Sequence, residues 1–165
     1  LINFLRKCTN SKIPIIGICF GHQLLALAFG GQVQKSSKGW GLGVENYKLK
    51  ENLTWTRNLG DSYNSYAMHQ DQVIEVPNDG TVIAGSKFCP NAFISYGDKE
   101  KPTALSIQSH PEFSPGYLHD LTLLRKGTTI PEQIADSGIQ TLSLPVNNPN
   151  IIKSLICGLR LSNVK

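Results

Sequence analysis

The chain has 165 residues, 40% hydrophobic and 17% charged, a balance that suits one soluble globular domain spanning residues 1–165 and argues against extended disorder. The formal net charge of +4 comes from scattered Lys and Arg, and the densest basic stretch (Lys35, Lys38, Lys48, Lys50) is interleaved with Ser, Gly and Glu. That pattern argues against a nucleic-acid stripe, and the absence of any apolar run longer than a strand argues against a membrane span.

In chain order, residues 1–8 read as the end of an amphipathic helix, with Ile2, Leu5 and Cys8 on one face and Thr9-Asn10-Ser11 ending it. A helix that leads into a buried strand belongs to a βα repeat, so earlier strands are expected ahead of Leu1 and the N-terminal part of the domain is expected to be missing. Residues 13–18 form an apolar, β-branched run that predicts a buried strand. Residues 21–29 predict a helix with Leu24, Leu25, Leu27, Ala28 and Phe29 toward the core, stopped by Gly30-Gly31. A short strand is expected near 32–34, a Gly-rich surface loop over 36–43, a half-exposed strand over 44–49, and a polar tract from Lys50 to Asn64. Further strands are expected at 65–69, 73–76, 81–86, 92–96 and 104–108, with 81–86 and 92–96 as antiparallel partners and a turn at Pro77-Asn78-Asp79-Gly80. Helices follow at about 117–125, 131–137 and 149–161. A buried strand, a short-stranded middle and helices at both ends point to an α/β sandwich.

The most informative stretch is Gly17-Ile18-Cys19-Phe20-Gly21-His22-Gln23, between the first strand and the helix after it. Strand, tight turn, reactive side chain and helix is the layout of a nucleophile elbow, and small residues at 17 and 21 are expected so that strand and helix can pass closely. A Cys at the tip would have its thiolate stabilised by the first helix amides. Glycines on both sides of one of four cysteines arise by chance about once in 50 chains, so the pattern needs partners. Its bland alternative is a structural Cys packed in a strand-to-helix turn.

A Cys nucleophile needs a base, and the base needs a group that fixes its tautomer. Among the four histidines, His110 ends an apolar strand and has Glu112 two residues on. Positions i and i+2 of an extended segment project to the same side, and Pro111 biases His110 toward extended geometry. Glu112 can then accept a hydrogen bond from His110 and leave the other ring nitrogen for Cys19. Read alone, His110-Pro111-Glu112 is an ordinary polar loop; with the Cys19 turn it reads as a triad.

The motifs Gly17–Gln23 and Gln108-Ser109-His110-Pro111-Glu112 resemble those of the class I (triad) glutamine amidotransferases. Lys38-Gly39-Trp40-Gly41, Met68-His69-Gln70-Asp71-Gln72-Val73, Phe88-Cys89-Pro90-Asn91-Ala92 and Phe113-Ser114-Pro115 are similar to a free-standing subgroup, which resembles GMP synthase amidotransferase domains and plant γ-glutamyl peptidases. The similarity spans about Ile13 to Tyr117. It implies a three-layer α/β sandwich of the flavodoxin-like type with a mixed central sheet, incomplete here at its N-terminus. It also implies cleavage of glutamine, or another γ-glutamyl amide, through a γ-glutamyl thioester. The four cysteines without disulfide-like spacing and the lack of a signal sequence point separately to reduced thiols in a cytoplasmic protein. Cys19, His110 and Glu112 would be catalytic, the Phe20 amide would serve the oxyanion hole, and Gln23, His69 and Asp71 would bind substrate. A structural loop histidine is an equal reading of His69. His22 reads as structural, His119 as exposed, and Cys8, Cys89 and Cys157 as packing residues without metal or disulfide spacing. No cofactor or metal is expected.

The expected partners are a small-molecule substrate and a synthetase or acceptor, not nucleic acid or membrane. The alternatives are a γ-glutamyl peptidase acting on glutathione-like peptides and a truncated, non-catalytic remnant. The resemblance places the second oxyanion-hole amide in an earlier βα loop, so without it a weakened hole and an exposed strand edge are expected.

Overall fold

A computed structural model of the chain describes the backbone of residues 1–163 and the side chains of residues 1–160. In chain order the elements are α1 (Ile2–Asn10), β1 (Ile15–Ile18), α2 (Phe20–Ala28), β2 (Gln32–Lys35), β3 (Gly41–Leu49), β4 (Ser62–His69), β5 (Asp71–Glu75) and β6 (Gly80–Gly85). They continue with β7 (Phe93–Gly97), β8 (Pro102–Ile107), α3 (Pro115–Arg125), α4 (Glu132–Gln140) and α5 (Asn148–Asn163). Six strands form one mixed sheet in the order β1-β8-β7-β6-β3-β4, and β2 pairs with β5 in a separate two-stranded sheet. Among the described residues, only the β1–β8 pair of the large sheet is parallel; β6 and β7 are antiparallel partners, as their sequence suggests.

The layers follow from strand alternation. Neighbouring residues of β7 and β8 point to opposite faces. Ile94, Tyr96 and Ala104 pack with Leu25 and Ala26 of α2, while Phe93, Leu105 and Ile107 pack with Ile151 and Leu155 of α5. Each fully buried Ile, Leu or Phe among these stabilises the fold by about 1.5–3 kcal/mol relative to leaving it in water. A third cluster joins Tyr66 and Met68 of β4 to Leu118, Ile130 and Ala135, so α3 and α4 cover the β3–β4 end. α3 begins on a cap: the Ser114 hydroxyl accepts from the Tyr117 amide at 3.1 Å, with a proline in the first turn. The result is the α/β architecture expected, a mixed sheet with helices on both faces. No described helix is long and apolar enough to cross a membrane.

Several local expectations need correction. The Gly-rich stretch expected as a loop over 36–43 becomes strand from Gly41, because missing side chains there make room for neighbours. A Cβ on Gly41 would lie 2.5 Å from the Phe88 ring, and one on Gly43 would lie 2.6 Å from the Gly138 carbonyl oxygen of α4. The polar tract from Lys50 to Asn64 carries core: Leu53, Trp55 and Leu59 are buried, and the Trp55 indole N–H donates to the Lys99 carbonyl at 2.9 Å. In α2, His22, Gln23 and Ala26 face inward, whereas Leu27 is exposed. The strand expected to be buried, β1, has one strand neighbour among the described residues, and Ile16 is 40% exposed.

The close approach expected beside Cys19 is real at one of its two glycines. A Cβ on Gly17 would meet the Gly21 carbonyl oxygen at 2.6 Å and Leu25 Cδ1 at 2.7 Å. A Cβ on Gly21 would meet nothing within 4 Å among the described residues. The strand thus needs a glycine to pass under the helix, while the helix has room for a side chain. Gly17→Ala should therefore destabilise the fold by roughly 1–3 kcal/mol through overpacking against backbone, and Gly21→Ala should be neutral or stabilising by up to about 1 kcal/mol. Urea unfolding of the two variants beside the parent chain measures this, and equal effects would contradict the packing account.

Candidate active site

Cys19 stands between β1 and α2 with φ 49° and ψ −99°, a left-handed conformation for a non-glycine residue. Such a backbone costs about 1–3 kcal/mol and persists only where the surroundings enforce it. Here its amide donates to the Ile107 carbonyl at 2.8 Å and its carbonyl accepts from the Gln23 amide at 3.1 Å, fixing it between the end of β8 and the first turn of α2. The thiol is half-buried at the helix N-terminus, where the first amides lack intrahelical partners. The side chain of Phe20 is 64% exposed.

β8 runs parallel to β1 in the register Ile18↔Ile107, so the segment leaving β8 emerges beside Cys19. The buried Gln108 directs its side-chain amide to the Cys19 sulfur at 3.5 Å. His110 is held by its amide, which donates to the Tyr66 carbonyl at 2.7 Å. Its Nδ1 bonds the Glu112 carboxylate at 2.6 Å, and its ring stacks on Phe113 with centroids 4.0 Å apart. Burial disfavours the charged imidazole, but the interactions with Cys19 and Glu112 outweigh it and raise its pKa to about 9. His110, set between a sulfur and a carboxylate, thus holds its proton more firmly than a free imidazole.

The other histidines are in different states. His69 is buried and its Nδ1–H donates to the Asp71 carbonyl at 3.1 Å; burial, with His110 nearby, lowers its pKa to about 4. His22 is fully buried, bonds the Ser106 hydroxyl at 2.7 Å and is lowered by burial to about 3, in keeping with a structural role. His119 is exposed beside Asp120. Cys89 is fully buried and burial pushes its thiol up to about 12, so it is inert. No group of three or more His, Cys, Asp or Glu residues among those described could hold a metal ion.

A cavity of about 220 Å³ opens onto Cys19, and Gln23, His69 and Asp71 all line it. Gln23 does so as a brace: its amide donates to the Asp71 carbonyl at 2.9 Å and to Gln108 Oε1 at 3.3 Å. The Asp71 carbonyl therefore takes hydrogen bonds from both Gln23 and His69. Trp40, Met68, Gln70 and Arg125 complete the lining. Larger depressions of about 370 and 520 Å³ lie beside Lys38 and Lys48, and Cys19 lines neither. Gln108 and Arg125 have no assigned role in the sequence. For Gln108 a signal exists, since i and i+2 place it on the same side as His110. For Arg125 there is none, because only the packing of α3 brings it to the cavity.

The sequence model of the class-I glutamine amidotransferases matches residues 1–129. Among similar proteins, the chain is 38% identical over 103 residues to a glutamine-hydrolyzing GMP synthase subunit of Methanocaldococcus jannaschii, covering 62% of this chain and 53% of that protein. It is 31% identical over 122 residues to gamma-glutamyl peptidase 3 of Arabidopsis thaliana, covering 70% of this chain and 47% of that protein. The chain thus spans about half the length of the curated relatives it matches. Its fold matches the crystal structure of a glutamine amidotransferase from Thermotoga maritima, with TM-score 0.72 at 20% identity over 99% of this chain and 68% of that one. A glutamine amido transferase from Methylobacillus Flagellatus matches with TM-score 0.74 at 20% identity over 99% of this chain and 69% of that one. With that family match covering residues 1–129 of 165, the chain belongs to the class-I glutamine amidotransferases.

Proposed function

We propose that residues 1–165 form one amidotransferase-like domain that hydrolyses the side-chain amide of glutamine, or a related γ-glutamyl amide, with Cys19, His110 and Glu112 as its triad. The observation that carries this reading is His110, which interacts with Cys19 on one side and bonds Glu112 at 2.6 Å on the other. The Cys19 thiolate attacks the amide carbon, forming the C–S bond as the carbonyl electrons move onto oxygen. The Phe20 amide, at the start of α2, donates to that oxyanion, a type of contact commonly worth about 3–4 kcal/mol. His110 gives its proton to the departing nitrogen, and ammonia leaves behind a γ-glutamyl thioester. His110, now neutral, takes a proton from water as the water attacks the thioester; glutamate leaves and the thiolate–imidazolium pair is restored. Glu112 keeps Nδ1 protonated and oriented throughout.

The Gln108 amide supports the sulfur with a hydrogen bond, and Gln23 braces Gln108 and Asp71. Similarity to proteins named as subunits of glutamine-hydrolyzing GMP synthases supports a synthetase or other acceptor that takes up the ammonia. The 31% identity to gamma-glutamyl peptidase 3 favours a second reading, hydrolysis of γ-glutamyl peptides, in which the leaving group is an amino acid amine. Both readings share the thioester.

Cys19→Ala should reduce glutamate release by roughly 1,000-fold or more from either substrate. Coupled glutamate assays on L-glutamine and on a γ-glutamyl dipeptide check this and rank the two readings; a variant that keeps its activity removes Cys19 from the mechanism. The pH dependence follows from His110. Its imidazolium form is the acid for the leaving amine, so kcat/KM should fall as pH rises through an apparent value near 9. Glu112→Gln removes a cause that raises this value, so the alkaline limb should move to lower pH while the rate falls. A limb that stays in place in Glu112→Gln would take His110–Glu112 out of the rate-limiting proton transfers.

A further inference from the structure

Gln108 follows β8 directly and is held at both ends. Its backbone amide donates to the Ala92 carbonyl at 2.7 Å, and its fully buried side chain reaches the Cys19 sulfur at 3.5 Å. A primary amide can turn either of two ends to a neighbour, a donating NH2 or an accepting oxygen. Which end the sulfur receives is decided at Asp71. The Asp71 carbonyl can only accept, so Gln23 must present its NH2 there, at 2.9 Å. The same nitrogen meets Gln108 at 3.3 Å with its second hydrogen, so Gln108 must present its oxygen. The NH2 of Gln108 is then the group left for Cys19.

A flipped Gln108 would set N–H against N–H at Gln23 and oxygen against the sulfur, in a place where burial leaves little water to relieve either contact. The Asp71 carbonyl that starts the chain of bonds is itself steadied by His69, which donates to it at 3.1 Å. The fold thus delivers to the sulfur a donor of fixed sign. An N–H bonds an anion about twice as strongly as it bonds a neutral acceptor. A thioester sulfur is a poor acceptor and a thiolate a good one, so the contact strengthens whenever negative charge returns to Cys19.

We propose that Gln108 is a catalytic residue of the second half-reaction, donating to the sulfur as the thioester breaks, and that Gln23 is the positioning residue that fixes the polarity of its amide. The assignment rests on the thioester reading above and adds a group that serves the leaving sulfur rather than the acyl oxygen. Water adds to the thioester carbon, and its proton passes to His110. The C–S bond breaks, the bonding pair returns to the sulfur, and the product acid loses its remaining proton to solvent. The Gln108 N–H is already aimed at the atom that gains the charge, so no group has to reorient at that moment. In the first half-reaction the sulfur loses charge, and the same contact gives no acceleration there.

The test follows the thioester itself. p-Nitrophenyl acetate acetylates a reactive thiol without any need for glutamine, and mass mapping of the full chain separates Cys19 from Cys8, Cys89 and Cys157. Once the ester is removed, release of acetate from Cys19 should slow roughly 10-fold in Gln108→Met, the loss of one hydrogen bond to a charged group. Gln23→Met, which leaves Gln108 free to flip, should slow release in the same direction but less. The double variant should match Gln108→Met, because Gln23 acts through Gln108. With L-glutamine, Gln108→Met should lower kcat and KM together, hold kcat/KM within about 3-fold, and accumulate γ-glutamyl thioester. Melting curves set the assay temperature below unfolding, and Gln23→Met carries the test if Gln108→Met does not fold. Acetate release unchanged in both variants, strictly additive slowing in the double variant, or a parent Cys19 that the ester does not acetylate would each overturn the assignment. Slowed acetate release in a chain that leaves glutamine and γ-glutamyl dipeptides intact would remove the glutamine reading and keep Gln108. Glutamine hydrolysis with acetate release indifferent to Gln108→Met would remove Gln108 and keep the catalysis.

Discussion

The parallel pairing of β1 with β8 is the constraint on which the rest of the site depends. Its register, Ile15↔Ala104 through Ile18↔Ile107, is carried one step further by the Cys19 amide on the Ile107 carbonyl at 2.8 Å. Both strands therefore end at the same level, and the residues that follow each of them, Cys19 on one side and Gln108 to Glu112 on the other, are delivered to one place. A slip of one residue would invert every side chain of the moving strand. Ala104 and Ser106 would leave α2, and Leu105 and Ile107 would leave the core beneath α5. The hydrophobic pattern that locks the sheet thereby also locks the separation of the sulfur from the imidazole.

Around that fixed pair the protein shifts three histidines by placement alone, two downward and one upward. His22 and His69 lose water without gaining an anion, so both stay neutral. His110 loses water too, but faces a sulfur and a carboxylate, and the balance reverses. The neutral state of His69 matters to its neighbour: a second cation in the cavity would repel the imidazolium and compete for any anion that enters.

Much of this was legible in the sequence because the relevant signals are local. Gly17, the apolar run before Cys19 and the helical run after it predict the strand–turn–helix, and His110 with Glu112 announces itself by spacing. The two beads of chemistry come together only through β8, and nothing local states which strand lies beside β1. The misread segments fail for one reason, which is that tertiary neighbours decide them. Gly41 and Gly43 look like loop until Phe88 and α4 occupy the space of their missing side chains. Trp55 looks stranded in polar surroundings until α5 covers it. Gly21 looks obligatory from its position in the motif, yet the space above it is open. Arg125 shows the same limit at the site itself, since a lone cation at a helix end carries no signature until the helix is placed.

The His110 ring is restrained twice, by the bond to Glu112 and by stacking on Phe113 with an interplanar angle of 12°. These restraints differ in kind. The carboxylate is partly open to solvent, with 42% of its side-chain surface exposed, so dissolved salt screens it. The stack is a matter of contact and is indifferent to ionic strength. The ring plane is therefore set by a non-ionic surface while its charge is set by an ionic one. Counter-ions can soften the second without letting the imidazole swing away from the sulfur.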